Sequence, residues 1–263
     1  MSSVAHPQRD ALKIAARAGL VTRGVVYCVI GILALKLALG SGGKTESQSG
    51  ALKTIAHHPF GDGLLIVVAV GLGCYAAWRL VEGVVGSRPD EDGGLERRVS
   101  ALVSGVGYAA LCYTAIQILA GGHASSGSPR PATAGVLGWP GGPVLVAIAG
   151  AVVIVVGAAQ GYKGWSRRFE RESHLERMSR RTRRIFAALG MIGYLARAVT
   201  FLLIGYGLIK TAVDYSPSNA VGLDGALQKL AHAAAGPALL GVVAAGFVAF
   251  GVYSIADARY HKV

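Results

Sequence analysis

Six apolar stretches punctuate this chain, at residues 18–39, 63–86, 99–120, 143–162, 188–209 and 237–256. Each reaches the ~20 residues that a helix needs to cross ~30 Å of hydrocarbon. Strands of an outer-membrane barrel would alternate apolar and polar residues over ~10 positions. "LLIVVAVGLG" and "VLVAIAGAVVIVVGAA" are apolar on every side, which only a helix wholly enclosed by apolar surroundings accommodates. With 52% hydrophobic and 15% charged residues, the chain has too little polar surface to enclose a soluble core. The expected fold is all-α: a polytopic membrane protein of six transmembrane helices, with no soluble domain between them. Arg9, Lys13 and Arg17 precede the first stretch as they would in a secretory signal, but the stretch is too long for a signal core and ends without a small-x-small site. It reads as an uncleaved anchor.

The basic residues set the orientation. Arg9, Lys13 and Arg17 lie before the first span, Arg88, Arg97 and Arg98 between the second and third, and Arg259 and Lys262 after the last. The densest group lies between the fourth and fifth, where Lys163, Arg167, Arg168, Arg171, Arg177, Arg180, Arg181, Arg183 and Arg184 cluster. The alternate loops hold few, so the positive-inside rule places both termini on the cytoplasmic side of the membrane. Topology thus accounts for the formal net charge of +12 without nucleic acid as a partner. The lipid bilayer is the surrounding partner, and anionic phospholipid headgroups are the expected contact of Lys163, Arg167, Arg168, Arg180, Arg181, Arg183 and Arg184, at ~1 kcal/mol per basic group. Leu175, Met178, Thr182, Ile185 and Phe186 share one side of a helical wheel, so the fifth helix is expected to extend inward as a stalk.

The chain repeats itself. A shift of 81 superposes Gly24 on Gly105, Tyr27 on Tyr108, Pro59 on Pro140 and Gly61 on Gly142; a shift of 174 superposes Gly19 on Gly193, Arg23 on Arg197 and Gly31 on Gly205. At 175, "GAL" at 50–52 falls on "GAL" at 225–227, and His57 on His232. The sequence therefore holds three copies of a helical hairpin, 17–86, 98–164 and 188–257, with 165–187 as a basic stalk or linker within a single membrane domain. An even number of crossings per copy makes the repeats parallel, which implies a pseudo-threefold arrangement instead of inverted repeats.

The run "ARAGLVTRGVVYCVIGILALKLAL" followed by "GALKTIAHHPFGDGLLIVVAVGLGCYAAWRLVEG", with its degenerate copies, resembles the actinobacterial membrane family catalogued as domain of unknown function 1206. The resemblance covers nearly the whole chain and implies three pairs of transmembrane helices in a bacterial plasma membrane, without implying an activity. The middle copy departs from the pattern, with Ser104 in place of arginine and no "GAL" segment.

Arg23 and Arg197 are permanent cations at one turn of the repeat, ~7 Å inside the cytoplasmic boundary at 1.5 Å per residue. Two roles are open to them. Their side chains can snorkel to the headgroups, or each can pair within its hairpin, Arg23 with Glu82 and Arg197 with Asp257, since isolated charge at that depth is costly. Arg79, Tyr108, Gln117 and Gln160 would line a cavity between the hairpins if one exists. Glycines such as Gly157 and Gly161 are read as close-packing positions. On the outer side, "GALKTIAHHPFG" and "GALQKLAHAAAGP" read as short amphipathic caps, and "HASSGSPRPATAG" as a flexible exterior segment.

His57, His58 and His232 have no cysteine or carboxylate at ligand spacing, so no metal site is expected, and His123 adds nothing. Cys28, Cys74 and Cys112 all fall inside spans. No phosphate loop, nucleophile elbow or intramembrane carboxylate pair is present, so neither a catalytic residue nor a cofactor is expected. Two functions remain: a structural or accessory protein that binds lipid or a partner membrane complex, and a small-solute or ion transporter with a central cavity.

Overall fold

The computed structural model describes residues 7–41, 45–57, 59–85, 94–121, 130–173, 176 and 178–260. Among these, six helices are long and apolar enough to cross a membrane: α1 (Pro7–Ala38), α3 (Gly61–Val85), α4 (Gly94–Leu119), α6 (Gly142–Trp165), α7 (Arg180–Asp214) and α9 (Gly236–Tyr260). Short helices α2 (Gln48–Ala56), α5 (Arg130–Leu137) and α8 (Leu223–Ala231) join the members of each pair.

These short helices are the third element of the repeat. Shifting α2 by 175 gives the bounds of α8, and shifting it by 81 gives those of α5 to within one residue. The middle copy thus keeps a cap although it lacks the "GAL" segment. The flexible segment expected at 123–135 is corrected accordingly: its second half is helical, and Thr133 is buried at 7% exposure. Pro131 misleads a propensity reading, yet it occupies the first turn of a helix, where a missing N–H costs nothing. In α2 the imidazole of His57 donates through Nδ1 to the Lys53 carbonyl at 2.7 Å, and in α8 His232 does the same to Gln228 at 2.8 Å. Each of these equivalent imidazoles adds a second bond to a carbonyl that already accepts from the same histidine's backbone N–H. His58 and His123 lie outside the described residues.

Contacts divide the chain into two units. One contains residues 1–25, 52–124 and 254–263, the other 26–51 and 125–253. In the first, α3 packs along α4; in the second, α6 packs along α7. The helices meet at small residues. A Cβ on Gly31 of α1 would lie 2.8 Å from the Ala244 carbonyl oxygen and 2.7 Å from the Val248 side chain of α9. A Cβ on Gly205 of α7 would lie 2.8 Å from the Gly150 carbonyl oxygen and 2.6 Å from Ile154 of α6. In the middle copy the corresponding residue of α4 is Cys112, whose Sγ donates to the Ala69 carbonyl at 3.3 Å and stands against Gly73 of α3. Residues 31, 112 and 205 are equivalent under the repeat, and so are 248, 73 and 154. The first long helix of each copy therefore packs on the second long helix of another: α4 on α3, α7 on α6 and α1 on α9. One contact thus recurs once for each copy. Close backbone approach supplies the dispersion that lipid, as apolar as the side chains, cannot provide by exclusion.

Within a copy the same repetition holds. Gly19 receives the ring of Tyr75, and Gly71 receives Thr22, where α1 meets α3; Gly193 receives Phe250, and Gly246 receives Ala196, where α7 meets α9.

The segment between α6 and α7 is more than a solvated stalk. A short 3-10 turn, Arg168–Glu172, inserts Phe169 at 0% exposure into the second unit. Its ring stacks on Tyr194 at 5.4 Å and meets Tyr253 edge-on at 5.3 Å, over the space left at Gly190. Phe186 is buried in the same cluster. Ser179 caps α7 by accepting from the Thr182 amide. The helix is 35 residues long. At 1.5 Å per residue it spans roughly 50 Å, so its first turns, with exposed Arg180, Arg181, Arg183 and Arg184, project beyond ~30 Å of hydrocarbon.

Candidate functional site

The repeat aligns six polar positions in sequence. On the first helix of the copies they are Arg23, Ser104 and Arg197, and on the second helix Arg79, Gln160 and Ser254. In two of the three contacts between a first and a second helix, one arginine meets one serine hydroxyl. Arg23 donates through Nε to the Ser254 hydroxyl at 2.7 Å. Arg79 donates through Nη2 to the Ser104 hydroxyl at 3.5 Å. The serine of the middle copy, which looks like a departure from the pattern, is thus the acceptor for an arginine that the neighbouring helix supplies. Hydroxyl acceptors at an arginine in apolar surroundings are worth more than in water, because hydrocarbon offers no alternative partner.

Aromatic faces complete the layer. The guanidinium of Arg23 also donates to the Tyr75 hydroxyl at 3.1 Å and lies 5.7 Å from that ring's centroid. Tyr75 stands edge-on to Tyr108 at 4.6 Å, next to Trp78. Under the repeat, Tyr75 becomes Phe250 and Tyr108 becomes Tyr27. These two rings are again edge-on, at 4.9 Å. The contact between copies is conserved in geometry while the hydroxyl that serves Arg23 is absent from Phe250.

Arg197 shows the consequence. Its guanidinium lies 4.5 Å from the centroid of Phe250, 5.3 Å from Tyr27 and 5.6 Å from Phe201. Its Nε is buried and has no hydrogen-bond partner among the described residues. Sequence alone paired this cation with Asp257; the described contacts give it three ring faces, each able to stabilise it by ~0.5–2 kcal/mol. The phenylalanine at 250 offers a quadrupole and no acceptor. Asp257 itself is buried at 3% exposure.

The ion pair described for Glu82 is with Arg79, one turn earlier on the same helix, at 2.8 Å. Sequence reasoning placed Glu82 opposite Arg23 across the hairpin; to that expectation the structure adds the intrahelical cation Arg79. Of the residues proposed to line a cavity, Arg79 is committed to Glu82 and Ser104, and Tyr108 to Tyr75. Gln117 donates to the Tyr113 hydroxyl at 2.9 Å along α4. Gln160 is half-buried on α6. These contacts do not bring the four residues into one group. The basic residues expected at the lipid surface are exposed at 167, 168, 180, 181, 183 and 184. Arg183 reaches Glu170 at 3.5 Å, and Arg168 covers the Tyr162 ring at 4.8 Å. Lys163 is half-buried, with its ammonium 5.4 Å from the centroid of Tyr194. The rings around Arg197 carried only a weak signal in the sequence: the equivalence of Tyr27 with Phe201, and of Tyr75 with Phe250.

No solved structure matches this chain. It is similar to the uncharacterized protein YxxB of Bacillus subtilis (strain 168), at 31% identity over 265 residues, covering 100% of this chain and 96% of the relative. That relative stands outside the actinobacteria, to which the resemblance in the sequence pointed. The family described as Domain of Unknown Function (DUF1206) matches three times, at residues 18–86, 99–167 and 192–261, once for each structural repeat. The chain belongs to the DUF1206 family, as a multi-pass membrane protein built from three of its units.

Proposed function

We propose that the protein is a structural or accessory component of a bacterial plasma membrane, with both termini cytoplasmic, that binds anionic lipid or a partner membrane complex at its basic end. What supports this reading most is the disposition of the polar groups: Arg23 and Arg79 use their hydrogen bonds to tie helix to helix, and Glu82 holds the Arg79 guanidinium from one turn along its own helix. Groups held in this way stiffen a bundle, whereas a translocation path needs polar groups that exchange partners with a moving solute. The exposed arginines at the start of α7 suit a headgroup surface.

The test is reconstitution of the full chain into vesicles of phosphatidylcholine with and without phosphatidylglycerol. Preferential retention of phosphatidylglycerol through purification, with no protein-dependent flux of ions or small solutes, is the expected result. Flux above that of protein-free vesicles would overturn this reading and favour the transporter.

A further inference from the structure

The end of α6 differs from its counterparts in the other copies. Tyr162 and Trp165 fall on Val81 and Val84 of the first copy and on Ala256 and Arg259 of the third, and Arg168 falls on Ser87. Only the middle copy sets aromatics at both of the first two positions. Tyr162 is 56% exposed and Trp165 76%. Being three residues apart on one helix, they are neighbours on its surface. The Arg168 guanidinium covers the Tyr162 ring, 4.8 Å from its centroid.

The turn that carries these groups is fixed, and its cations are unspent. Ser166 donates through Oγ to the Tyr162 carbonyl at 2.6 Å, and Phe169, fully buried against Tyr194 and Tyr253, fastens the chain directly after Arg168. Arg167 and Arg168 are exposed, and no acid pairs with either among the described residues. Glu170, the next carboxylate along the chain, is engaged with Arg183. A ring-face contact supplies no oxygen to the N–H donors of a guanidinium, and their fork matches the oxygens of a phosphate.

Depth selects this turn over the arginines of α7. Gly164 packs at Tyr194, one turn nearer the cytoplasmic side than Arg197. With Arg197 ~7 Å inside the boundary, Tyr194 and Gly164 lie ~2–3 Å inside it, so Tyr162 and Trp165 bracket the edge of the hydrocarbon, where interfacial aromatics belong. Arg184 to Arg180 stand ~15–21 Å further along α7 than Tyr194, which carries them ~12–18 Å past that edge, whereas the headgroup layer is ~5–8 Å deep. They attract an anionic surface across solution, and direct contact with it falls to the turn.

We infer that the turn after α6 is a binding site for the phosphate of an anionic phospholipid of the cytoplasmic leaflet, held by the Arg168 guanidinium on its Tyr162 platform, with Arg167 as the adjacent cation and Trp165 at the headgroup boundary. The site rests on the lipid-binding reading of the basic end and says where on that end the lipid is held.

The test places the full chain in phosphatidylcholine nanodiscs doped with phosphatidylglycerol and reads lipid retention by native mass spectrometry. Three variants are compared: Arg168→Gln, Tyr162→Leu, and a threefold Arg→Gln change at 180, 181 and 184 that leaves the Arg183–Glu170 pair intact. Arg168→Gln should weaken phosphatidylglycerol retention about fivefold, the weight of one basic group at an anionic surface. Tyr162→Leu alters no charge, yet it should weaken retention about twofold or more, because the guanidinium is no longer held in place. The threefold variant should change it by less than about twofold, although it removes more charge. Both single variants replace exposed side chains, so their melting temperatures without phosphatidylglycerol should equal that of the wild type, which separates lost binding from lost folding. Loss of lipid in the threefold variant, with Arg168→Gln and Tyr162→Leu unchanged, would overturn the site and leave the lipid-binding reading standing. Loss in proportion to the charge removed, with Tyr162→Leu unchanged, would do the same in favour of diffuse attraction. Wild-type chain that retains no phosphatidylglycerol over phosphatidylcholine would overturn both.

Discussion

The contacts between copies invite a swap. Two of them set a glycine on the first helix against a branched residue on the second, Gly31 against Val248 and Gly205 against Ile154; the middle one reverses the sizes, with Cys112 against Gly73. If the three are one interface, Gly205→Cys and Ile154→Gly should each harm the fold alone and repair each other together. A Cβ on residue 205 meets Ile154 Cγ1 at 2.6 Å, the Gly150 oxygen at 2.8 Å and the Ile154 nitrogen at 3.0 Å. Two of these are backbone atoms, so the helices must separate, at a cost of ~1–3 kcal/mol for overpacking. Ile154 is half-buried. Its removal forfeits roughly half of the ~2–5 kcal/mol seen for a fully buried truncation, and glycine in a helix adds ~1 kcal/mol. In the double variant the sulfur occupies the space that the isoleucine vacates and gains a carbonyl acceptor, as Cys112 has in Ala69. The expected coupling is ~1–2 kcal/mol, inside the ~0.5–3 kcal/mol range for residues in contact. In thermal unfolding of the detergent-solubilised chain, the double variant should melt roughly 2–8 °C above the sum of the single effects, at ~2–4 °C per kcal/mol. Additivity of the two changes to within ~0.5 kcal/mol would refute the equivalence of the three contacts.

Glu82→Gln leaves the Arg79 guanidinium facing a neutral amide, and because both side chains are less than one-fifth exposed the loss should be ~1–3 kcal/mol, read as a lower melting temperature. Tyr75→Phe, which copies Phe250 into the first repeat, removes an acceptor of Arg23 and should cost ~0.6–1.7 kcal/mol, the range for hydrogen bonds between membrane helices; an unchanged melting point would show that the hydroxyl carries no weight. Gly107→Ala, where an added Cβ meets no atom within 4 Å, should leave the melting temperature unchanged or raise it slightly, since alanine is the better helix former by ~1 kcal/mol.

The elements legible in the sequence were those written in a period. Spans announced themselves by length and apolarity, and the hairpin repeat by the shifts of 81 and 174. The cap helix of the middle copy was illegible because Ser, Pro and Gly at 125–131 carry loop signals, and only its place between two packed spans makes 130–137 helical. The charged layer was legible in its residues but not in its pairings. A repeat aligns Arg23 with Ser104 and Arg197, yet it does not state which copy supplies the opposite helix. Arg23 has a partner in its own hairpin, Tyr75, but Ser254 and Arg79 serve first helices other than their own. Had the contact between copies been assumed from the start, the alternation of one arginine with one hydroxyl at 23 and 254, and at 104 and 79, would have followed from the alignment. In the third contact the alignment sets Arg197 against Gln160 and Lys163. Each of these contacts mixes two copies, so a substitution in one repeat is answered in another, as Ser104 of the middle copy is answered by Arg79 of the first.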